Sequence, residues 1–308
     1  MSGFAVGTEV AGSKVGVCSR MAAEGRWPTR TETLMLSVNT NNGAMLALQY
    51  LNNTEASLQQ TQNQISTGLK VASAKDNGAI FAIAQDMRGS VAGYQAVTNS
   101  LNRGMSTIDV ALSAGQSISD LLIQMKQQAL AASDTSLNTT SRAAMNANFI
   151  ALRDQITSIV TNANFNGVNL INGSTTQIAA LASSDGTHHV TTAAQNMSLS
   201  GTIVTLKSTG NISTQAAASA MIATIQTSLT NVNTALANLS AGSSKFSVQA
   251  NFVSQLTNAL NSGIGNLVDA NMAQESAQLT ALQTKQQLGA QALAIANQAP
   301  QVIMQLFR

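Results

Sequence analysis

The sequence predicts a mainly α-helical protein, a long antiparallel helical bundle or coiled coil formed by both ends of the chain, with a small β-rich insert in the middle. Three observations carry this. No proline occurs from Thr29 to Ala299, so no residue in that span lacks its amide donor and helices can run long. Apolar residues recur in steps of three and four on both sides of the centre, the period of a helix stripe that packs on another helix. Between these flanks, short apolar runs alternate with Gly, Ser, Thr and Asn, a pattern of strands and turns.

The first helix is predicted after Asn39-Thr40-Asn41-Asn42, a run of good capping types. Ala44, Leu51, Leu58, Ile65 and Ala72 form one heptad column, and Leu48, Glu55, Gln62 and Leu69 its partner. The two polar interruptions fix register at a cost in stability. Gly68 and the run Ser73–Gly78 then break the helix. The next seam is cleaner. Ile80, Met87, Tyr94, Leu101 and Ile108 form one column, and Ala84, Val91, Thr98, Met105 and Leu112 the other, continuing through Ile118, Leu122, Met125, Ala129 and Ala132. A helix over 79–132 is roughly 80 Å long at 1.5 Å per residue and must lie along other helices.

A polar turn at Ser133–Ser141 reverses the chain into a third helix marked by Met145, Phe149, Leu152, Ile156, Ile159 and Ala163. It ends at the turn signal Asn166-Gly167. From about 168 to 214 the alternations Gln177–Ala180, His189–Val190 and Ser198–Leu206 predict two or three hairpins. Helical period returns with Ile222, Ile225, Leu229, Val232, Leu236 and Leu239, and Gly242-Ser243-Ser244 predicts a break. A last helix is expected from Lys245 through Val253, Leu256, Leu260, Leu267, Met272, Leu279, Leu282, Leu293, Ala296 and Ile303, with Pro300 kinking or ending it. Its polar columns are filled by Gln and Asn.

Charged residues make up 9% of the chain and aromatics 3%, and the net charge is +2. An average soluble protein carries roughly 25% charged residues, so this surface has little field and little desolvation penalty if neighbours later cover it. No large basic face is available to attract nucleic acid, and no stretch is apolar and long enough to span a membrane. The single Cys18 cannot form an intramolecular disulfide. Residues 1–34 differ from the rest: they hold Glu9, Lys14, Arg20, Glu24, Arg26, Arg30 and Glu32, the sole Trp, and no helical period. They read as an extension upstream of a natural start at Met35.

Four stretches in order resemble bacterial flagellin. Ser37-Val38-Asn39-Thr40-Asn41 looks like the family's opening. Ser66-Thr67-Gly68-Leu69-Lys70-Val71-Ala72-Ser73-Ala74-Lys75-Asp76 is similar to its SSGLRINSAKD signature. Asn164-Phe165-Asn166-Gly167-Val168 resembles TQFNGV, and the tail from Gln291 through Ala299-Pro300-Gln301 to Leu306-Phe307-Arg308 is close to ANQVPQNVLSLLR. The resemblance implies a filament subunit for motility, with 35–75 and 272–308 as an inner terminal coiled coil, 76–173 and 222–271 as a middle helical domain, and 174–221 as a short variable outer insert. It implies export of unfolded chains through the flagellar secretion channel, and extracellular assembly. The partners it implies are copies of the same chain, sibling flagellins, cap and hook-associated proteins, an export chaperone and the export apparatus. The flawed terminal seams are expected to order only on assembly.

Self-assembly and helix packing are assigned to Leu48, Leu51, Leu58, Ile65, Leu69, Ile80, Met87, Val91, Tyr94, Leu101, Met105, Ile108, Leu112, Leu267, Met272, Leu279, Leu282, Leu293, Ile303, Leu306 and Phe307. The signature loops contribute Ser73, Lys75, Asp76, Asn166 and Gly167. Lys75-Asp76 reads as a surface pair or, by resemblance, a register-setting contact. Leu122–Ala132 aligns with a family segment that binds an innate immune receptor, but Gln124, Gln127 and Gln128 replace Arg, Glu and Leu there, so receptor binding is expected to be weak. The Ser- and Thr-rich insert offers hydroxyls for glycans, or is a plain solvated loop.

No catalytic, cofactor or metal site is expected. His188 and His189 lack companion ligands at metal spacing, and neither a His-Glu-x-x-His motif nor a phosphate-cradling loop occurs. The alternatives are a hook–filament junction protein with flagellin-like ends, a membrane-inserting helical translocator, which should show a long apolar hairpin, and an enzyme.

Overall fold

The computed structural model describes residues 40–306, with side chains through Gln298. The predicted extension at 1–34, the Ser37-Val38-Asn39 part of the opening motif and Phe307 lie outside the described residues, as do the side chains of Ile303 and Leu306. The elements in order are α1 (Asn42–Thr67), α2 (Gly78–Ala132), α3 (Thr139–Asn162), β1 (Gln177–Leu181), β2 (His189–Ala193), α4 (Gln215–Val268) and α5 (Met272–Leu306). The described residues divide into two compact units: 40–57 with 281–306, and Leu58–Thr280.

The larger unit is organised by the pairing of α2 with α4. Met87 lies by Gly263, the Phe246 ring by Gly104, and Leu236 by Gly115, while Lys126 Nζ donates to Gln226 Oε1 at 2.5 Å. As numbers rise along α2 they fall along α4, so the pair is antiparallel. Its core face on α2 runs Val97, Leu101, Gly104, Ile108, Ala111, Gly115, Ile118, Leu122, Met125, Ala129 and Ala132, in unbroken steps of four and three. On α4 the matching residues include Ile225, Ser228, Val232, Ala235, Leu239, Gly242 and Phe246.

From Val97 onward one of the two predicted α2 columns coincides with this face and the other stands one residue off, while nearer the helix start the predicted Ala84 is itself fully buried. Leu101 and Ile108 are fully buried, but the partner column is Val97, Gly104, Ala111 and Ile118, with Thr98, Met105 and Leu112 on the flank and half-buried. The reason is size. Gly104, Ala111 and Gly115 occupy seam positions without looking hydrophobic, and their small volume lets the helices and their large partners approach closely.

The helix starts follow side-chain capping. Asn77 Oδ1 accepts from Ile80 N at 3.1 Å, Asn138 Oδ1 from Ser141 N at 2.8 Å, and Thr214 Oγ1 from Ala217 N at 3.2 Å. At the other end of α2 the buried Arg142 donates through Nε to Ala132 O and through an Nη to Asp134 O, both at 2.9 Å. One guanidinium thus satisfies carbonyls at and just beyond the end of α2 and fixes the α2–α3 corner.

Four expectations are corrected. The predicted break at Gly242-Ser243-Ser244 does not occur, and α4 runs unbroken to Val268. Gly242 is small because Thr192 of β2 packs onto its Cα, where any Cβ would collide. The break falls instead at Asp269-Ala270-Asn271, where Asn271 Oδ1 accepts from Ala273 N at 3.2 Å and Gln274 N at 3.3 Å and starts α5. Pro300 does not end that helix, which continues to Leu306. Finally, among the described residues the insert forms a single antiparallel hairpin, β1–β2. The third predicted strand segment, Ser198–Leu206, packs on α4 instead: Val204 and Leu206 are fully buried, and Thr205 N donates to Ser228 Oγ at 3.0 Å. Its alternation is that of a loop pinned to a helix.

The hairpin is anchored from both helices. Leu181 N donates to Ser100 Oγ of α2 at 3.2 Å, and Gln249 Nε2 of α4 donates to Ala182 O at 3.1 Å. A second, smaller core of Val71, Ala84, Ile264 and Val268 lies where α2 begins and α4 ends. There the chain at 68–71 pairs with the end of α4: Lys70 N donates to Val268 O at 2.7 Å and Ala270 N to Gly68 O at 2.9 Å. Gly68 has φ +70°, which lets the chain leave α1 into this pairing.

Candidate functional site

In the smaller unit α1 and α5 run antiparallel. Asn41 Nδ2 donates to Ala296 O at 2.7 Å, and a Cβ on Gly289 would stand 3.3 Å from Leu51 Cδ1. The facing stripe is Ala44, Ala47, Leu51 and Thr54 on α1 against Leu282, Gln286, Gly289, Leu293 and Ala296 on α5, all of them half-buried or better. This stripe is thin, since Leu282 is the single buried residue among the described residues of the unit.

Large apolar side chains of the same unit stand in solvent. Tyr50 is 62% exposed, Met45 65%, Leu288 59% and Ile295 69%, with Leu46 and Leu48 about half exposed. α1 thus carries a narrow inner stripe with exposed apolar side chains on both sides of it, and α5 an inner stripe with Leu288 and Ile295 exposed on one side. Exposed apolar surface of this extent marks an interaction surface. A groove lined by Tyr50, Leu51, Asn53, Thr54, Ser57, Leu282, Lys285 and Gly289 runs beside the pair.

The predicted packing residues separate into three sets. Leu101, Ile108 and Leu282 are buried. Leu51, Leu58, Ile65, Leu69, Ile80, Met87, Val91, Tyr94, Met105, Leu112, Leu267, Leu279 and Leu293 are half-buried. Leu48 and Met272 are exposed, at 47% and 43%. Val97, Gly104, Gly115 and Phe246 were missed. The strict four–three register through Leu101, once extended to small residues, would have found the first three.

The signature loop is closed by its own acid. Asp76 Oδ2 accepts from Ala72 N at 3.1 Å, Ser73 N at 2.8 Å and Ser73 Oγ at 3.1 Å. The hydrogen bond from the Ser73 amide is the main cause that holds its pKa below the usual value. Lys75 is exposed and takes no part, which corrects the expected Lys75–Asp76 pair; among the described residues the ion pair is Arg153–Asp154 at 2.9 Å. At the second signature, Asn166 (φ 51°) and Gly167 (φ 82°) form a left-handed turn. Asn164 Oδ1 accepts from Gly167 N at 2.8 Å, and Phe165 and Val168 exchange both backbone hydrogen bonds at 3.0 Å. These are corner-forming loops, and their polar atoms are spent on their own backbone.

On α2, Gln124 and Gln127 are exposed and Gln128 is half-buried. With Asn148, Ala151, Leu152 and Gln155 of α3 they line an uncharged groove. His188 and His189 are exposed at the hairpin turn, and among the described residues no three His, Cys, Asp or Glu side chains gather at metal-binding distance. No described helix is long and apolar enough to cross a membrane.

Residues 38–176 match the bacterial flagellin N-terminal helical region and residues 222–307 the bacterial flagellin C-terminal helical region. The chain is 52% identical over 272 residues to flagellin FljM of Caulobacter vibrioides, covering 88% of this chain and 98% of that protein. It is 53% identical over the same length to flagellin FljK of that organism, with the same coverage. Against a flagellin of Brucella melitensis the identity is 35% over 283 residues, covering 89% of this chain and all of that protein. Long paired terminal helices, two matched terminal regions and full-length relatives agree: this chain belongs to the bacterial flagellins.

Proposed function

We propose that the paired terminal helices are the polymerisation surface of this flagellin and that neighbouring copies complete it. The chain is a structural, non-enzymatic subunit of the extracellular flagellar filament and serves motility. The observation that carries the assignment of surface is the exposed apolar face of α1 and α5, with Tyr50, Leu288 and Ile295 in the open. In an obligate polymer such a face is interior.

The division proposed is an inner part at 35–75 with 272–308, a middle part at 76–173 with 222–271, and an outer insert at 174–221. The corners at 68–77 and 269–271 support the first boundary. Clean packing in α2 and α4 holds the subunit, while the thin α1–α5 stripe gains its cover on assembly. Family membership supports sibling flagellins, cap and hook-associated proteins, an export chaperone and the export apparatus as further partners. The uncharged Gln124, Gln127 and Gln128 support weak engagement of the innate receptor.

The test is elongation of sheared filament fragments by purified subunit, followed by sedimentation and electron microscopy. Deletion of 40–57 is expected to abolish elongation while leaving the melting of the α2–α4 unit unchanged. Amide exchange of 42–57 and 281–298 should slow strongly in the filament. A deletion variant that elongates at the full rate would remove α1 from the assembly surface.

A further inference from the structure

Glu55 and Lys285 are the only formal charges among the described residues of the α1–α5 unit. Both are exposed, and neither forms an ion pair among the described residues. They sit at corresponding levels, because Asn41 meets Ala296 and Leu51 meets Gly289. They do not, however, share an edge. Lys285 lines the groove beside the helix pair together with Tyr50, Asn53, Thr54 and Ser57. At about 100° per residue those four α1 positions all lie to one side of Leu51, whereas Glu55 lies about 40° to the other side. Glu55 accordingly does not line the groove. The same helical count places the exposed Leu48 and Met45 on the Glu55 edge, and the exposed Leu288 on the Lys285 edge.

We infer that Glu55 of one copy docks against Lys285 of the next, as the single charged contact of an otherwise neutral, apolar interface between copies. This rests on the filament reading above. Opposite charges on opposite edges, at one level, match a heterologous side-by-side contact. A two-fold contact would set each edge against itself and like charge against like. A heterologous contact repeats without self-pairing, as a helical polymer needs. In a surface this poor in charge the pair sets register: a copy shifted along the axis leaves a cation and an anion facing apolar side chains, uncompensated. The groove beside Lys285, about 400 Å³ in volume, leaves room for the incoming carboxylate and its flanking Leu48.

The experiment uses the full chain and sheared filaments of the unaltered protein. Glu55→Lys and Lys285→Glu are each expected to slow elongation about tenfold or more at low salt, because like charges then meet across the interface. Far-ultraviolet circular dichroism and the melting of the α2–α4 unit should stay unchanged. An equimolar mixture of the two single variants should elongate again, since each variant offers the other the opposite charge; the double variant E55K/K285E should elongate sheared filaments of the double variant itself. Single variants that elongate at the unaltered rate overturn the inference. So does a mixture as inactive as its parts when the double variant is active, because that result places the pair within one copy. An unaltered chain that fails to extend its own filaments overturns the filament reading itself, and this contact with it.

Discussion

The ring of Phe246 on α4 lies against the bare Cα of Gly104 on α2, so close that a Cβ there would stand 2.8 Å from the ring Cδ1 and nearer still to Cε1. Both residues are buried, and neither belongs to a seam that the eye picks from the sequence. Their pairing sets how closely the two longest helices approach.

Gly104→Ala should therefore destabilise the α2–α4 unit, although alanine is the better helix former by roughly 1 kcal/mol. Overpacking against a fixed ring costs typically about 1–3 kcal/mol, so the net effect is a loss of up to about 2 kcal/mol. Differential scanning calorimetry should show a lower Tm, and adding Phe246→Leu should recover part of it. An unchanged or raised Tm for the single variant would mean that the ring moves aside freely.

Thr192 offers the opposite opportunity. Its Oγ1 is buried without a hydrogen-bond partner, where the side chain packs on Gly242. Valine keeps the shape and removes the unpaired hydroxyl, so Thr192→Val should stabilise by about 1 kcal/mol. Chemical denaturation with an unchanged slope would report this cleanly, whereas a loss of stability would show that the hydroxyl is paired in solution.

Arg142 should resist conservative replacement. Its planar fork serves Ala132 O and Asp134 O together, a geometry that a lysine ammonium cannot reproduce. Arg142→Lys should cost about 1–3 kcal/mol, since it leaves a buried carbonyl unpaired. Equal stability of the two proteins would refute the fork's role at the α2–α3 corner.

The hairpin turn should be acid-sensitive through Asp185. Its carboxylate accepts from the Ser183 hydroxyl, which is the main cause lowering its pKa from 3.8 to about 2, with help from Thr187 N at 3.1 Å. A carboxylate with a depressed native pKa contributes stability above its unfolded value and loses it as pH falls through the native one. Local protection of the hairpin amides should thus decline between pH 4 and pH 2. Asp185→Asn should flatten that decline, and an identical pH profile in the variant would assign it elsewhere.

The sequence by itself determined the starts of α1, α2 and α3, the return of helical period in α4, the place of the insert and the family, but not where α4 ends and α5 begins. Asn77, Asn138 and Asn41 announce helix starts through chemistry local to a few residues, and Leu101, Ile108, Leu122 and Ile225 mark a core face through period alone. Two signature loops were legible for the same reason, because Asp76 and Asn166-Gly167 spend their bonds on their own backbone. Tertiary structure decided the rest. Gly242 reads as a helix break until Thr192 is seen to rest on it, and Ser198–Leu206 reads as a strand until Ser228 takes its amide. Small residues at the seam carry no hydrophobic signal. Their meaning lies in the volume of a partner more than a hundred positions away, as with Gly104 and Phe246, and only the folded chain brings that partner into contact.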